Sequence, residues 1–353
     1  MRRHHVLGTA LAVPAVTLMT AWAALAVYWS DLPGQALRMA LAIGIVAATA
    51  AAFALSRRKR AALAAYLACF GLFVVWWAAI PPSNDRNWQG DVAVLPFVEQ
   101  NGNMVTVRNI RHFTYRTETD YEPAYYDKTF DLDTLDSVDL ITVYWMGEAI
   151  AHVMLSFGFA GKDYLCLSIE TRKEVGEAYS SLKGFFKQYE LVYVAGDERD
   201  LIRLRTGYRN PPEDVYIYRT RVPPENARKL FLEYAKEMNG LHANPKFYNT
   251  LTTNCTTNVI RHFRAFGGKV RYNWKILLSG YTPLYAYELG ALEDGMSFEA
   301  LRVASHVNAK AESVGQGADF SERLRQGLPG VKARVLRLGA SPEELPPGMP
   351  PRP

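Results

Sequence analysis

Cys255 follows Thr252-Thr253-Asn254 and precedes Thr256-Thr257, with Val259, Ile260, Phe263 and Phe266 recurring at helical spacing behind it. Thr and Asn are N-cap residues, so the thiol is expected in the first turn of a helix over 255–266. There the unpaired amides and the helix dipole favour a thiolate. Well upstream, His152 stands in the apolar run Ala151-His152-Val153-Met154-Leu155-Ser156-Phe157. A thiolate with an imidazole base is the machinery of covalent acyl chemistry. The same first-turn amides could receive a developing oxyanion, supplemented by Asn254 or Thr256.

The other titratable candidates are weaker. Cys166 is mid-strand and gains nothing from a helix dipole, although the register below puts it on the face of His152. His262 lies two turns along the Cys255 helix and reads as a packing or surface residue. His112 and His242 have no comparable context. No Cys/His spacing suits zinc and no glycine-rich phosphate loop is present, so neither metal nor cofactor is expected. The formal charge of +5 is modest and gives no reason to expect a nucleic-acid partner.

The element that must position His152 is a hairpin. Strands are expected at Ala151–Phe159 and over 164–170. Val153, Leu155 and Phe157 form one apolar face, and Leu165, Leu167 and Ile169 form the matching face. Both faces reach one core only with Val153 opposite Ile169, Leu155 opposite Leu167 and Phe157 opposite Leu165. The loop is then Ala160-Gly161-Lys162, with a Gly available for positive φ. Glu170 falls opposite His152, with Cβ atoms about 5 Å apart. A carboxylate there holds one ring nitrogen and leaves the other as base. A two-residue turn would bring Thr171 there instead, and Glu170 could equally pair with Arg172 or Lys173. Trp145, Glu148, Tyr164, Arg172 and Tyr285 are further candidates for the pocket wall, with packing as the alternative for each.

Other strands are expected over 104–110, 138–145, 190–194 and 215–218. Helices are expected over 224–239, 283–289, 298–311 and 320–326. Residues 83–330 thus read as one α+β domain, and the Pro-rich 331–353 as a disordered tail.

Before it stand three apolar segments, over 6–29, 35–55 and 61–80, each near the ~20 residues that span a bilayer. The second includes Arg38, which can snorkel to the interface, and the third ends in Trp76-Trp77. Met1-Arg2-Arg3 also resembles the start of a signal peptide. The two further spans favour retained anchors. Arg2, Arg3 and the Arg57-Arg58-Lys59-Arg60 cluster place the N-terminus in the cytoplasm and everything after Pro82 outside, in the periplasm of a bacterial inner-membrane protein. Three cysteines, one of them within a span, do not make a disulfide framework. In Leu182-Lys183-Gly184-Phe185-Phe186-Lys187 the Phe pair flanked by lysines could dip into the bilayer or belong to the core.

The His152 run, Ser168-Ile169-Glu170-Thr171-Arg172-Lys173-Glu174 and Thr253-Asn254-Cys255-Thr256-Thr257 together resemble the Lnb N-terminal periplasmic domain family. Pro82-Ser83-Asn84-Asp85-Arg86-Asn87-Trp88 and the stretch 274–281 carry the same resemblance, which covers roughly 83–330. The resemblance implies a circularly permuted, NlpC-type papain-like domain in which the histidine precedes the cysteine. By position, Cys255 would be the acyl-accepting nucleophile, His152 its base and Glu170 the orienting carboxylate. Asn254, Thr256, Trp145 and Arg172 would serve the substrate or oxyanion pocket. The implied activity is acyl transfer from a membrane phospholipid to an amine such as a lipoprotein N-terminus. A hydrolase of the same fold and a non-catalytic envelope-binding module are the alternatives.

Overall fold

The computed structural model describes residues 2–265, 267–268 and 270–331, with backbone alone at 2–11. The chain opens with α1 (Arg2–Tyr28), α2 (Gln35–Leu55) and α3 (Lys59–Ala79). Two of these, α2 and α3, are long and apolar enough to cross a membrane. Neither has a fully buried residue, so much of their apolar surface stays bare even though they pack on α1. The apolar part of α1 described with side chains, Ala12–Tyr28, is shorter. Residues 6–11 of the expected first span lie outside that description, as do residues 332–353 of the expected tail and Phe266.

The remainder is an α+β domain. Its strands are β1 (Phe97–Asn101), β2 (Met104–Arg111), β3 (Thr114–Tyr115), β4 (Tyr121–Glu122), β5 (Tyr125–Asp131), β6 (Leu135–Tyr144), β7 (Ala151–Phe159), β8 (Asp163–Arg172), β9 (Glu190–Gly196) and β10 (Asp214–Arg219). The main sheet runs β1-β2-β9-β8-β7-β6-β10, with β5 also pairing β2. It is mixed, because β2 meets β9 in parallel and the other pairs are antiparallel. The helices are α4 (Glu198–Arg203), α5 (Pro224–Ala243), α6 (Cys255–Ala265), α7 (Trp274–Leu277), α8 (Thr282–Glu288), α9 (Phe298–Ser305), α10 (Asn308–Val314) and α11 (Phe320–Arg325).

The β7–β8 register is the expected one: Leu155 faces Leu167, Phe157 faces Leu165 and Ser156 faces Cys166. The loop is Ala160-Gly161-Lys162, with positive φ at both Ala160 and Gly161. Both faces of the sheet are covered. Val153, Leu155 and Phe157 join the core under α5, where Phe157 meets the Phe231 ring edge-on at 5.3 Å. Met154 and Cys166 join a second core with residues of α4, α10 and α11. Full burial of each such apolar side chain stabilises by about 1.5–3 kcal/mol. His152 is the one residue of β7 that is not buried.

One expectation is corrected, and one strand is additional. The helix expected over 298–311 is two, α9 and α10, because His306 bridges Tyr216 of β10 and Val307 donates to Val215 O. The strand β5 carries no clean alternation and was not legible beforehand.

Arg325 ties α11 to the sheet. Its guanidinium reaches Asp139 and Glu198, each at 2.6 Å, and lies 3.7 Å from the centre of the Tyr164 ring. Tyr164 therefore supports this buried charge cluster rather than the pocket.

Candidate active site

Asn254 starts α6. Its Oδ1 accepts from Thr257 N at 2.8 Å, and Thr257 Oγ1 accepts from Asn254 N at 2.9 Å. This reciprocal cap fixes the first turn and presents Cys255 as its first residue. One N–H of Asn254 Nδ2 donates to Thr250 O at 2.7 Å, which pins the capping side chain at the cleft wall. Thr256 is buried, with Oγ1 3.8 Å from Cys255 Sγ.

The helix start meets the sheet where two strands part. β6–β7 pairing continues to Tyr144–Ala151, whereas β7–β8 pairing ends at Met154–Ser168. In the resulting gap Cys255 takes hydrogen bonds from the His152 side chain and the Val153 amide. His152 Nε2 lies 2.7 Å from Ser168 Oγ and 3.1 Å from Glu170 Oε1, which leaves Nδ1 for the thiol. Ser168 donates to Glu170 Oε1 at 2.6 Å, and Arg205 Nη2 donates to the same oxygen at 2.9 Å. His152 and Glu170 thus meet as the register implies, although the ladder itself stops short of them.

Charge follows geometry. Burial alone would lower the His152 pKa, but the Glu170 carboxylate and the Cys255 thiol outweigh it and lift it to about 9. Burial would raise the Cys255 pKa; the hydrogen bond and charge of His152 overcome this and bring it below the ordinary thiol value. Against its own burial, Glu170 is held well below the usual carboxylate range by His152, Arg205 and Ser168. With the imidazole raised and the thiol lowered, the arrangement favours the thiolate–imidazolium pair over the neutral pair. A thiolate so formed is a nucleophile, and the imidazolium beside it is an acid for a leaving group. Of the first-turn amides of α6, that of Thr257 is taken by Asn254 Oδ1, which leaves those of Cys255 and Thr256 without an intrahelical partner, as at any helix start.

Cys166, equally buried, lies mid-strand in β8, and there burial drives its pKa far above the ordinary value. His262 is buried against Tyr234, with a hydrogen bond to Tyr193 Oη at 2.8 Å, and burial lowers its pKa to about 4.

A cleft of about 260 Å³ opens over the thiol. It brings together Cys255, His152, Glu170, Asn254, Thr256 and Trp145, and Tyr179 and Leu277 add apolar wall. Trp145 meets Tyr179 edge-on at 6.5 Å. Arg172 is not part of it. Its guanidinium is buried over the Trp88 ring at 4.3 Å and donates to Val92 O, Asn84 Oδ1 and Ala93 O. It clamps the segment that enters the domain. Glu148 pairs with Arg302, and Tyr285 donates to Arg271 O, both away from the thiol.

Ser168 and Arg205 were not anticipated. Ser168 carried a signal, since it is two residues from Glu170 and so shares its face. Arg205 carried none: it enters from a single π-helical turn, Leu204–Tyr208, a feature enriched at functional sites but invisible in sequence.

Among the described residues, no cluster of His, Cys, Asp and Glu could hold a metal ion. No curated protein and no solved structure matches the chain. The family model of the Lnb N-terminal periplasmic domain matches residues 121–284, which excludes the motif at 82–88 but contains β7, β8 and the start of α6. The segment that carries His152, Glu170 and Cys255 is thus the part of the chain that matches the Lnb N-terminal periplasmic domain family.

Proposed function

We propose that the chain is a membrane-anchored cysteine acyltransferase with a circularly permuted, papain-like catalytic domain. The observation that carries this reading is the Cys255 thiol at a helix start, hydrogen-bonded to a His152 imidazole whose far nitrogen is held by Ser168 and Glu170. The Cys255 thiolate attacks the ester carbonyl of a membrane phospholipid. The Cys255 and Thr256 amides at the start of α6 donate to the oxyanion, and His152 gives its proton to the departing lysophospholipid oxygen. A Cys255 thioester remains. An amine, such as the N-terminus of a lipoprotein, then attacks the thioester, His152 takes the amine proton, and thiolate leaves as the amide forms. Glu170 holds the imidazole in place through both steps and stays ionised.

The periplasmic character of the family and the two apolar helices support an envelope protein whose domain works beside a membrane. On this reading α1 is a third span, the N-terminus and the Arg57–Arg60 cluster are cytoplasmic, and the domain is periplasmic. The test is product analysis after incubating the full chain in phospholipid vesicles with a diacylglyceryl lipopeptide bearing a free N-terminus. The proposal expects N-acyl lipopeptide and lysophospholipid in equal amounts, both lost in Cys255→Ala. Free fatty acid without N-acyl lipopeptide would make the chain a lipid hydrolase instead. Cleavage of peptidoglycan fragments with no lipid turnover would make it a cell-wall enzyme.

A further inference from the structure

One short segment joins the cleft to the anchor. Tyr179 and Ser181 line the cleft, and the same chain runs on through Leu182 to Lys187. Lys187 Nζ donates to the carbonyls of Trp77, Ala78 and Ile80 at 2.9, 3.1 and 3.0 Å, closing the free end of α3. Phe186 is buried against Trp29, ring centres 5.0 Å apart, and Arg86 meets Asp31 of the α1–α2 loop at 2.6 Å. Trp29, Trp76 and Trp77 thus cluster at one end of the helices, the level at which tryptophan marks the bilayer interface.

Around this joint the apolar side chains are bare. Leu182 is 50% exposed, Phe185 38% and Leu251 43%. Leu251 follows Thr250, another cleft residue, which is tied to the segment through Ser181 O and Gly184 O. The cleft, at about 260 Å³, is smaller than the roughly 300 Å³ at which sites begin to enclose a drug-sized ligand. A two-chain lipid does not fit inside; only its ester region does.

We infer that the 179–187 segment with Leu251 is a lip inserted in the outer leaflet, across which a lipid ester reaches Cys255 while its acyl tails stay in the bilayer. Leu182 and Phe185 lie beside a residue already packed on the interfacial tryptophan, so insertion continues the docked anchor surface. Lys183 suits an anionic headgroup. The delivery of an ester rests on the acyl-transfer reading; the contact with the leaflet does not.

The test uses the full chain in vesicles of phosphatidylethanolamine and phosphatidylglycerol, with p-benzoylphenylalanine at position 182, 185 or 303. Val303 is 78% exposed on α9, which packs beside the edge strand β10. After irradiation, intact mass should show phospholipid adducts at 182 and 185 and none at 303. No adduct at 182 and 185, or equal adducts at 303, overturns the lip. In parallel, Leu182→Asp with Phe185→Asp should cut Cys255 acylation by vesicle lipid at least tenfold while leaving its alkylation by iodoacetamide unchanged. Equal acylation in the double variant would also overturn the inference. If wild-type Cys255 never gains an acyl group, the functional reading fails and the crosslinks alone decide the lip.

Discussion

Glu170→Gln removes one charge from the triad and nearly nothing else. The amide oxygen still accepts from Ser168 and Arg205, and Arg205 Nε keeps Glu213 Oε2 at 3.9 Å. In the wild type, His152 rises from 6.5 to about 9, with Glu170 the largest favourable cause. A rise of that size is about 3 kcal/mol of preference for the imidazolium. Losing the Glu170 share should return the His152 pKa by about one unit or more, with only Cys255 left to oppose burial. With less imidazolium beside it, the Cys255 pKa climbs back toward its ordinary value. The assay is the rate of Cys255 alkylation by iodoacetamide from pH 5 to 10, in a Cys69→Ser background, with Cys166 buried and silent. The wild type should react through a thiolate present at neutral pH. The variant should show its thiolate onset about one unit higher and react about tenfold slower at pH 7. Superimposable profiles from two folded proteins would refute the charge argument.

Further outcomes follow from the same contacts. Lipid turnover should fall as pH rises through about 9, where His152 loses its proton, and circular dichroism should show intact fold there. Because the folded pKa of Glu170 lies below 4.5, its contribution to stability is complete above that value and is lost as pH falls further; Glu170→Gln should therefore flatten the acid limb of Tm against pH. Asn254→Ala should cost about 0.5–2 kcal/mol and slow Cys255 alkylation, with Asn254→Asp restoring the cap. Arg172→Ala should destabilise by about 2–4 kcal/mol without moving the alkylation profile, since its partners are Val92, Ala93 and Asn84. Gly280→Ala should lower both Tm and Cys255 reactivity. A Cβ there would meet Glu148 O at 1.9 Å, and neighbouring Ser279 Oγ holds the amide of Ala151 beside His152.

The site was legible where side-chain period and cap chemistry act locally. Apolar alternation specified the β7–β8 register, and that register implied that Glu170 would reach His152. The Thr-Thr-Asn run specified the start of α6. What stayed hidden depends on tertiary approach. Arg205 arrives from a π-turn with no sequence signature. Arg172 could be read as a pocket residue because alternation gives the face of a strand and not what covers it; only the fold shows the 84–93 segment lying there. Asn254 suits a cap and an oxyanion donor equally by type, and the fold shows the cap, with Oδ1 on Thr257 N. The break between α9 and α10 follows from a bridge to β10, which helical periodicity does not encode.

Intact-protein mass spectrometry of the full chain in defined phospholipid vesicles tests the central claim most directly. The account predicts a fatty-acyl mass adduct on the wild type, labile to hydroxylamine, absent in Cys255→Ala and strongly reduced in His152→Ala. Folded wild type that acquires no such adduct and turns over no lipid would contradict it.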